Sequence, residues 1–420
     1  MTDVIVIGGG AAGMMAAYAA GMSGGSVLLI EKNEKLGKKI YITGKGRCNV
    51  TNACDFEGLI RNQCRNGKFL YSSFRRFSNE DLCSLLESAG CRLKTERGDR
   101  VFPVSDHASD VTKALTALLQ EAGARVRLRT EVRGIVKLSD GSFSVRIFDI
   151  IKKRVEQLSC RKVIVATGGL SYPTTGSTGD GYRFAESFDI HVTDRLPSLV
   201  PILLDEQEEC SGLSGLSLKN VGLSLFLCDR LIYEDQGELL FTHTGISGPL
   251  VLTASSYAGE ALCEGGEFTD MYVSIDMKPA LSLEKLDERL LRDFDQARNQ
   301  DIKNILRSLL PISLILPVLK RAGLAPDKKA NSITKEERRK LSAVVKDLRY
   351  SVKGLGGFNE AVITKGGVDV KEIDPRTMEA KKAEGLYFAG EVLDIDSRTG
   401  GFNLQNAFST GYAAGTAAGQ

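Results

Sequence analysis

Asp3-Val4-Ile5-Val6-Ile7-Gly8-Gly9-Gly10-Ala11-Ala12-Gly13-Met14-Met15-Ala16-Ala17 decides the fold of this chain. An apolar run ends in glycines spaced G-x-G-x-x-G (Gly8, Gly10, Gly13), and a small-residue segment reads as a helix to Ala20. A second apolar run, Val27 to Ile30, ends in Glu31. That order is strand, tight turn, helix, strand and acid, the pattern of a dinucleotide site. The glycines let the backbone approach a pyrophosphate at the positive end of the helix. Glu31 stands 18 residues past Gly13, near the spacing at which an acid accepts hydrogen bonds from a ribose hydroxyl.

Outward from that stretch, 420 residues suggest two or three domains. Charged residues make up 26% of the chain, yet the net charge is only +2. On that balance we expect neither a membrane surface nor nucleic acid as partner, but a small-molecule substrate. Nine cysteines without a C-x-x-C pair point to reduced thiols and a cytoplasmic setting. No signal peptide is read, and no stretch approaches the roughly 20 apolar residues that span a bilayer.

Gly44 to Asn52, GKGRCNVTN, holds too many polar donors for a core face. Arg47 there suits a phosphate or a flavin carbonyl, and Asn49 and Asn52 both donate and accept. Cys48 and Cys54 as a redox pair is a weaker reading than a Cys48 that packs. Ser105 or Asp106 is expected to cap a helix over about 108–121. Asp140-Gly141 reads as a hairpin turn between alternating runs. Val163 to Ala166 reads as a strand that exits into Thr167, Gly168 and Gly169, followed by an ordered loop containing Tyr172.

Beyond about residue 195 the period changes to two, in 221–227 and 271–277, which predicts an antiparallel sheet or small barrel. His243 sits among polar loop donors, and a histidine satisfied by loop backbone fits the same pattern. Ser247 lacks the strand-turn-helix setting of a hydrolase nucleophile. Periodicity is helical from Leu281, and Thr334 with Glu337 spells a capping box before a helix over 335–347. The last 60 residues return to the opening texture: Leu386 to Ala389 reads as a strand, then come Gly390, Glu391 and the turn Thr399-Gly400-Gly401-Phe402-Asn403 opening a final helix. The expected division is 1–194 and 359–420 for the nucleotide domain, 195–278 for a β-rich insert with 346–358 as its return strand, and 279–345 for a helical insert. No metal site is read, and the sequence is silent on oligomeric state.

Six stretches carry a resemblance: 3–17, 44–52, ATGGLSYPTTGSTGDGY at 166–182, LLFTHTGISGP at 239–249, TKGGVDVKEIDPRTMEAK at 364–381 and GLYFAGEVLDIDSRTGGFNLQNAFSTGYAAG at 385–415. The chain resembles the HI0933-like or BaiN-like bacterial flavoproteins, also called the aminoacetone oxidase family, along nearly its whole length. The resemblance implies an α/β fold, with a glutathione-reductase-like FAD domain interrupted by a β-barrel-like domain and a small helical domain. It implies bound FAD, with NAD(P)H as exchangeable reductant. Carried over, Gly8, Gly10, Ala11, Ala12 and Gly13 hold the pyrophosphate, Glu31 and Lys32 flank the adenosine ribose, and the backbone of Val132 meets the adenine. Gly46, Arg47, Cys48 and Asn49 line the flavin side. Thr167 and Gly168 lie beside the cofactor, and Gly390, Glu391, Gly400, Gly401, Phe402 and Asn403 reach the ribityl chain and the pyrimidine edge. Thr43, Lys45 and Ser397 depart from the small residues expected at their positions.

Three function classes stay open. The first takes hydride from NAD(P)H onto flavin and reduces an organic acceptor, with Tyr172 and His243 as candidate proton donors. The second oxidises a small amine with oxygen as acceptor. The third is a flavoprotein that binds or acts on RNA.

Overall fold

The computed structural model describes residues 2–420. Contacts divide the chain into two units, residues 1–198 with 358–420, and residues 199–357.

The first unit is built on one sheet. Strand β1 (Thr2–Ile7) is apolar on both faces and buried from Val4 onward, as a central strand of a covered sheet must be. Helix α1 (Ala11–Met22) returns the chain to β2 (Val27–Ile30), which pairs parallel to β1 with Val4 opposite Val27. Beyond β2 lies the short parallel strand β3 (Arg125–Arg127). A meander of β4 (Thr130–Lys137), β5 (Phe143–Asp149) and β6 (Arg154–Val165) follows, turning at Asp140-Gly141 between its first two strands. The far end of β6 comes back parallel beside β1, with Ile5 opposite Val163. Strand β7 (Leu386–Phe388), from the other end of the sequence, pairs parallel on the free side of β6. Four parallel strand ends therefore converge where Gly8, Glu31, Ala166 and Ala389 leave the sheet, the place where open α/β sheets bind ligands.

Helix α2 (Phe402–Gly419) lies along α1. The contact needs bare backbone: an added Cβ on Gly411, Gly415 or Gly419 would stand 2.4, 2.2 or 2.4 Å from the carbonyl oxygens of Ala12, Ala16 and Ala20. Three glycines at i, i+4 and i+8 form one stripe, so the two helix backbones touch along the whole seam.

The second unit is a closed barrel whose six strands, in order around it, are Ile202–Leu204, Gly245–Ser247, Arg230–Phe241, Ser217–Leu227, Met271–Asp276 and Leu348–Leu355. Closure accounts for the period of two: Leu223, Leu225, Val273 and Ile275 are fully buried, while their neighbours face outward. Between the last two strands run helices Leu283–Gln296, Ile312–Ala322 and Lys335–Lys346. Thr334 and Glu337 cap the last of these reciprocally.

One expected cap differs. His107, with no side-chain bond, occupies the N-cap of helix Ala108–Glu121. The Asp106 carboxylate is drawn instead to Arg47 and Lys94, and Ser105 accepts only the His107 N–H. Two nearby cations outbid one helix end.

Candidate functional site

Everything carried by the four strand ends lies in the first unit. Gly8 donates its N–H to Ile30 O (2.8 Å), which ties the turn to β2. An added Cβ on Gly13 would stand 1.8 Å from Gly8 O, so only glycine lets α1 start this close to the turn. Gly10 caps α1 without a side-chain bond. The N–H groups of Ala11, Ala12 and Gly13 thus open the helix with its positive dipole end toward the turn.

Glu31 is 8% exposed. Its Oε2 accepts from Gly9 N–H (2.6 Å), and its Oε1 accepts from the Asn33 N–H and side-chain amide (both 2.7 Å). The carboxylate therefore fixes the turn as well as standing at the β2 exit. Thr130 donates its N–H to Glu31 O (3.0 Å), which brings the start of β4, and with it Val132, to the same end. Lys32 bonds Thr178 and Asp180 (2.5 and 2.7 Å). Glu31→Gln keeps the shape but replaces an acceptor with an amide facing three donors. Since bonds to a charged group contribute roughly 1.5–3 kcal/mol, titration of the apoprotein with FAD should show affinity lower by about 10- to 100-fold.

The GRCN stretch follows two short 3-10 turns within Ile40–Gly46, separated by a kink at Thr43 to Lys45 where Gly44 and Lys45 take left-handed backbone. The Arg47 guanidinium is engaged by Glu96 and Asp106 and lies on the Phe102 ring, 4.2 Å from its centroid. Its fork is thereby committed to carboxylates, and a phosphate or carbonyl would have to displace them. Cys48 is fully buried, and that burial pushes its thiol up to about 12. Cys48 and Cys54 are both free thiols. Burial likewise raises Cys160 to about 12 and Cys210 to about 11. Iodoacetamide at pH 8 should label the exposed Cys228 and Cys263 and leave Cys48, Cys160 and Cys210 unmodified, as read by peptide mass; rapid labelling of Cys48 would contradict its neutral, closed setting.

From the other end of the chain, Glu391 forms the hub of a network that no local pattern announces. Its Oε2 accepts from Lys39 Nζ (2.6 Å), and its Oε1 accepts from Ser171 Oγ (2.5 Å) and Thr364 N–H (3.0 Å). Tyr172 follows Ser171 with φ +51°, a left-handed backbone held by its N–H bond to Phe358 O. Gly401 caps α2 with φ +100°, pressed against Thr51: an added Cβ would stand 2.4 Å from Thr51 C and O. Asn403 spends its side chain on the backbone of Ser397 and Arg398, so its N–H and that of Phe402, rather than its amide, remain for a ligand.

The structure thus brings together in one unit Gly8 to Gly13, Glu31, Lys32, Gly46 to Asn49, Val132, Thr167, Gly168, Tyr172, Gly390, Glu391 and Gly400 to Asn403. His243 is carried by the second unit, exposed in the turn between two barrel strands. The residues fit a flavin dinucleotide on three counts. The glycine cradle at Gly8 and Gly13 would be filled by any Cβ. Two helices, α1 and α2, start with uncapped N–H groups. The buried Asn49 Oδ1 and Thr167 Oγ1 have no hydrogen-bond partner within the protein, as expected of groups that serve a ligand.

The chain matches the family described as HI0933-like protein Rossmann domain over residues 2–417. It is similar to the ribosomal RNA dihydrouridine synthase of Escherichia coli, 35% identical over 98% of this chain and 96% of the relative. The ribosomal RNA dihydrouridine synthase of Haemophilus influenzae is 33% identical over 98% and 97%. The 3-dehydro-bile acid delta(4,6)-reductase of Clostridium scindens is 30% identical over 100% and 99%. The first two correct one expectation. Nucleic acid as an unlikely partner rested on the near-neutral net charge, and full-length relatives named for ribosomal RNA overturn it. A net charge is a sum, and 55 cations offset by 53 acids say nothing of where the cations stand. On membranes, no described helix is long and apolar enough to cross one.

Proposed function

The chain belongs to the HI0933-like family of FAD-dependent oxidoreductases, and from that membership we propose that it reduces the C5=C6 bond of a uridine in ribosomal RNA with electrons from NAD(P)H. The observation that carries this is similarity along the whole length to two ribosomal RNA dihydrouridine synthases, at 35% and 33% identity. The bile acid reductase adds a chemical point. A uracil C5=C6 bond and a 3-oxo-4,6-diene are both alkenes conjugated to a carbonyl, so one hydride-and-proton chemistry serves both.

Bound FAD supplies the two-electron hydride chemistry. The protein supplies the rest. The α1 start and the glycine turn receive the pyrophosphate, and Glu31 receives ribose hydroxyls. The N–H groups of Phe402 and Asn403, at the positive end of α2, would hold the flavin and favour negative charge on it. Lys39, Ser171 and Thr364 fix the Glu391 carboxylate for the ribityl chain. Hydride addition at C6 requires a proton at C5, and we assign that proton to the Tyr172 hydroxyl, whose backbone is anchored one residue from Ser171.

The test is anaerobic turnover of unmodified ribosomal RNA, transcribed in vitro, with NADH or NADPH. Nucleosides are then analysed for the two-hydrogen mass increase of dihydrouridine. Its appearance, at sites lost in Tyr172→Phe protein that retains flavin, supports the proposal. Flavin bleaching by NAD(P)H without any change in the RNA, combined with reduction of a 3-oxo-4,6-diene steroid, would move the substrate to the small-molecule class.

A further inference from the structure

We propose that Arg61, Lys68, Arg75 and Arg76 form the surface that receives the phosphate backbone of the RNA; this deepens, and rests on, the reading of RNA as substrate. Between Glu57 and Glu80 the chain carries five cations (Arg61, Arg65, Lys68, Arg75 and Arg76) and no acid. Arg65 is drawn inward to the buried Asp394 (2.8 Å). The other four are exposed, and no ion pair neutralises any of them among the described residues.

A second cation-rich stretch behaves oppositely. Between 328 and 340, Lys328 pairs with Glu337, Lys329 with Asp301, Arg338 with Asp287 and Lys340 with Glu336. That stretch is a balanced, solvated face, whereas the first keeps its field.

Arg75 shows how the field is kept. Its guanidinium lies over the rings of Phe56 (4.1 Å) and Tyr71 (5.4 Å), and these rings pack edge to face at 4.8 Å. Aromatic faces order a cation without neutralising it, so its charge stays available to phosphate. Tyr71, 48% exposed, adds a ring on which a base can stack.

The patch is fastened to the cofactor turn. Strand Gln63–Arg65 pairs with Asp396-Ser397, three residues before Gly400. Arg398 donates its N–H to Asn62 O (3.0 Å), and Ser397 Oγ bonds Gln63 Oε1 (2.6 Å). Behind Arg76, Phe77 stacks on Tyr412 of α2 at 4.4 Å and accepts from Ser409 Oγ (2.7 Å). The cations and the α2 start therefore share one framework, so RNA held by the first is positioned against the second.

The test compares holoprotein with a Lys68→Gln, Arg75→Gln, Arg76→Gln triple variant, using unmodified in vitro ribosomal RNA as probe. Each lost phosphate contact removes about 0.7–0.9 from the slope of log affinity against log salt, so the slope should fall by about 2 to 3. Affinity near 0.15 M salt should drop at least about tenfold, and KM for RNA should rise. Flavin content and flavin reduction by NAD(P)H should not change, and neither should RNA affinity in a Lys335→Gln, Arg339→Gln control. If the triple variant loses flavin, Lys68→Gln and Arg76→Gln singly carry the same test at one contact each. Unchanged slope and KM, with the parent active on RNA, would overturn the surface and leave the substrate standing. A parent that neither binds nor reduces RNA would overturn both.

Discussion

Gly415→Val protein is expected to melt about 6 to 12 °C below the parent and to lose flavin on mild heating. The reason lies in the seam between α1 and α2. A Cβ on Gly415 would stand 2.2 Å from Ala16 O and 2.9 Å from Ala16 C and Cα. All three are backbone atoms, which cannot swing aside as a side-chain end would. The helices must part, and parting also opens the flanking contacts at Gly411 and Gly419. Overpacking typically costs 1–3 kcal/mol, and this rigid case belongs near 3 kcal/mol, with 2–4 °C per kcal/mol at this domain size. Gly212→Ala is the control: it stands exposed at the end of a short helix and an added Cβ meets nothing within 4 Å, so the change should be neutral or slightly stabilising. A Gly415→Val midpoint within 2 °C of the parent would mean that the helices do not touch as described.

That seam shows what a sequence yields and what it withholds. The first turn was legible because strand, glycines, helix and acid follow one another within 31 residues, and local spacing fixes their geometry. The strands of the second unit were legible in the same way, from a period of two that fits an open antiparallel sheet as well as a barrel; closure lies in pairings the period does not fix. The stripe of Gly411, Gly415 and Gly419 reads only as a small-residue helix, because its meaning lies in the carbonyls of residues about 400 positions away. The Glu391 network is similar. Lys39, Ser171 and Thr364 carry no local signal, and the fold brings them to Glu391 across 352, 220 and 27 residues. Arg47 shows the same limit: an arginine in a polar loop suits a phosphate or a flavin carbonyl, and nothing in local spacing tells that Glu96 and Asp106 are brought to its guanidinium. The run of Arg61, Lys68, Arg75 and Arg76 carries no signal by spacing alone either. A charge run signals a partner only when its counter-ions prove absent, and that is a fact of three dimensions.

Gly401→Val is expected to lower FAD affinity by about 30- to several-thousand-fold while leaving a folded protein. Gly401 sits at φ +100° where α2 begins, and a Cβ there would meet the Thr51 backbone at 2.4 Å. Valine suffers twice. The left-handed region costs an L-residue about 1–2 kcal/mol, and the collision adds roughly 1–3 kcal/mol. The turn escapes both by shifting away from Thr51. That shift moves the N–H groups of Phe402 and Asn403 and loosens the bond from Thr51 Oγ1 to Gln405 Oε1 (2.6 Å). If those N–H groups bind the flavin, the whole penalty falls on cofactor affinity, and about 2–5 kcal/mol converts to the stated loss at 1.36 kcal/mol per decade. Gly141→Ala separates strain from site. Its φ is +85° in the hairpin between β4 and β5, with open space around it. It should therefore lose about 1–2 kcal/mol of stability and no flavin affinity. Were Gly401→Val to behave like Gly141→Ala, melting lower but binding FAD as tightly as the parent, the start of α2 would be a structural turn. The negative charge of the reduced cofactor would then have to be met elsewhere, with the uncapped start of α1 serving the pyrophosphate alone.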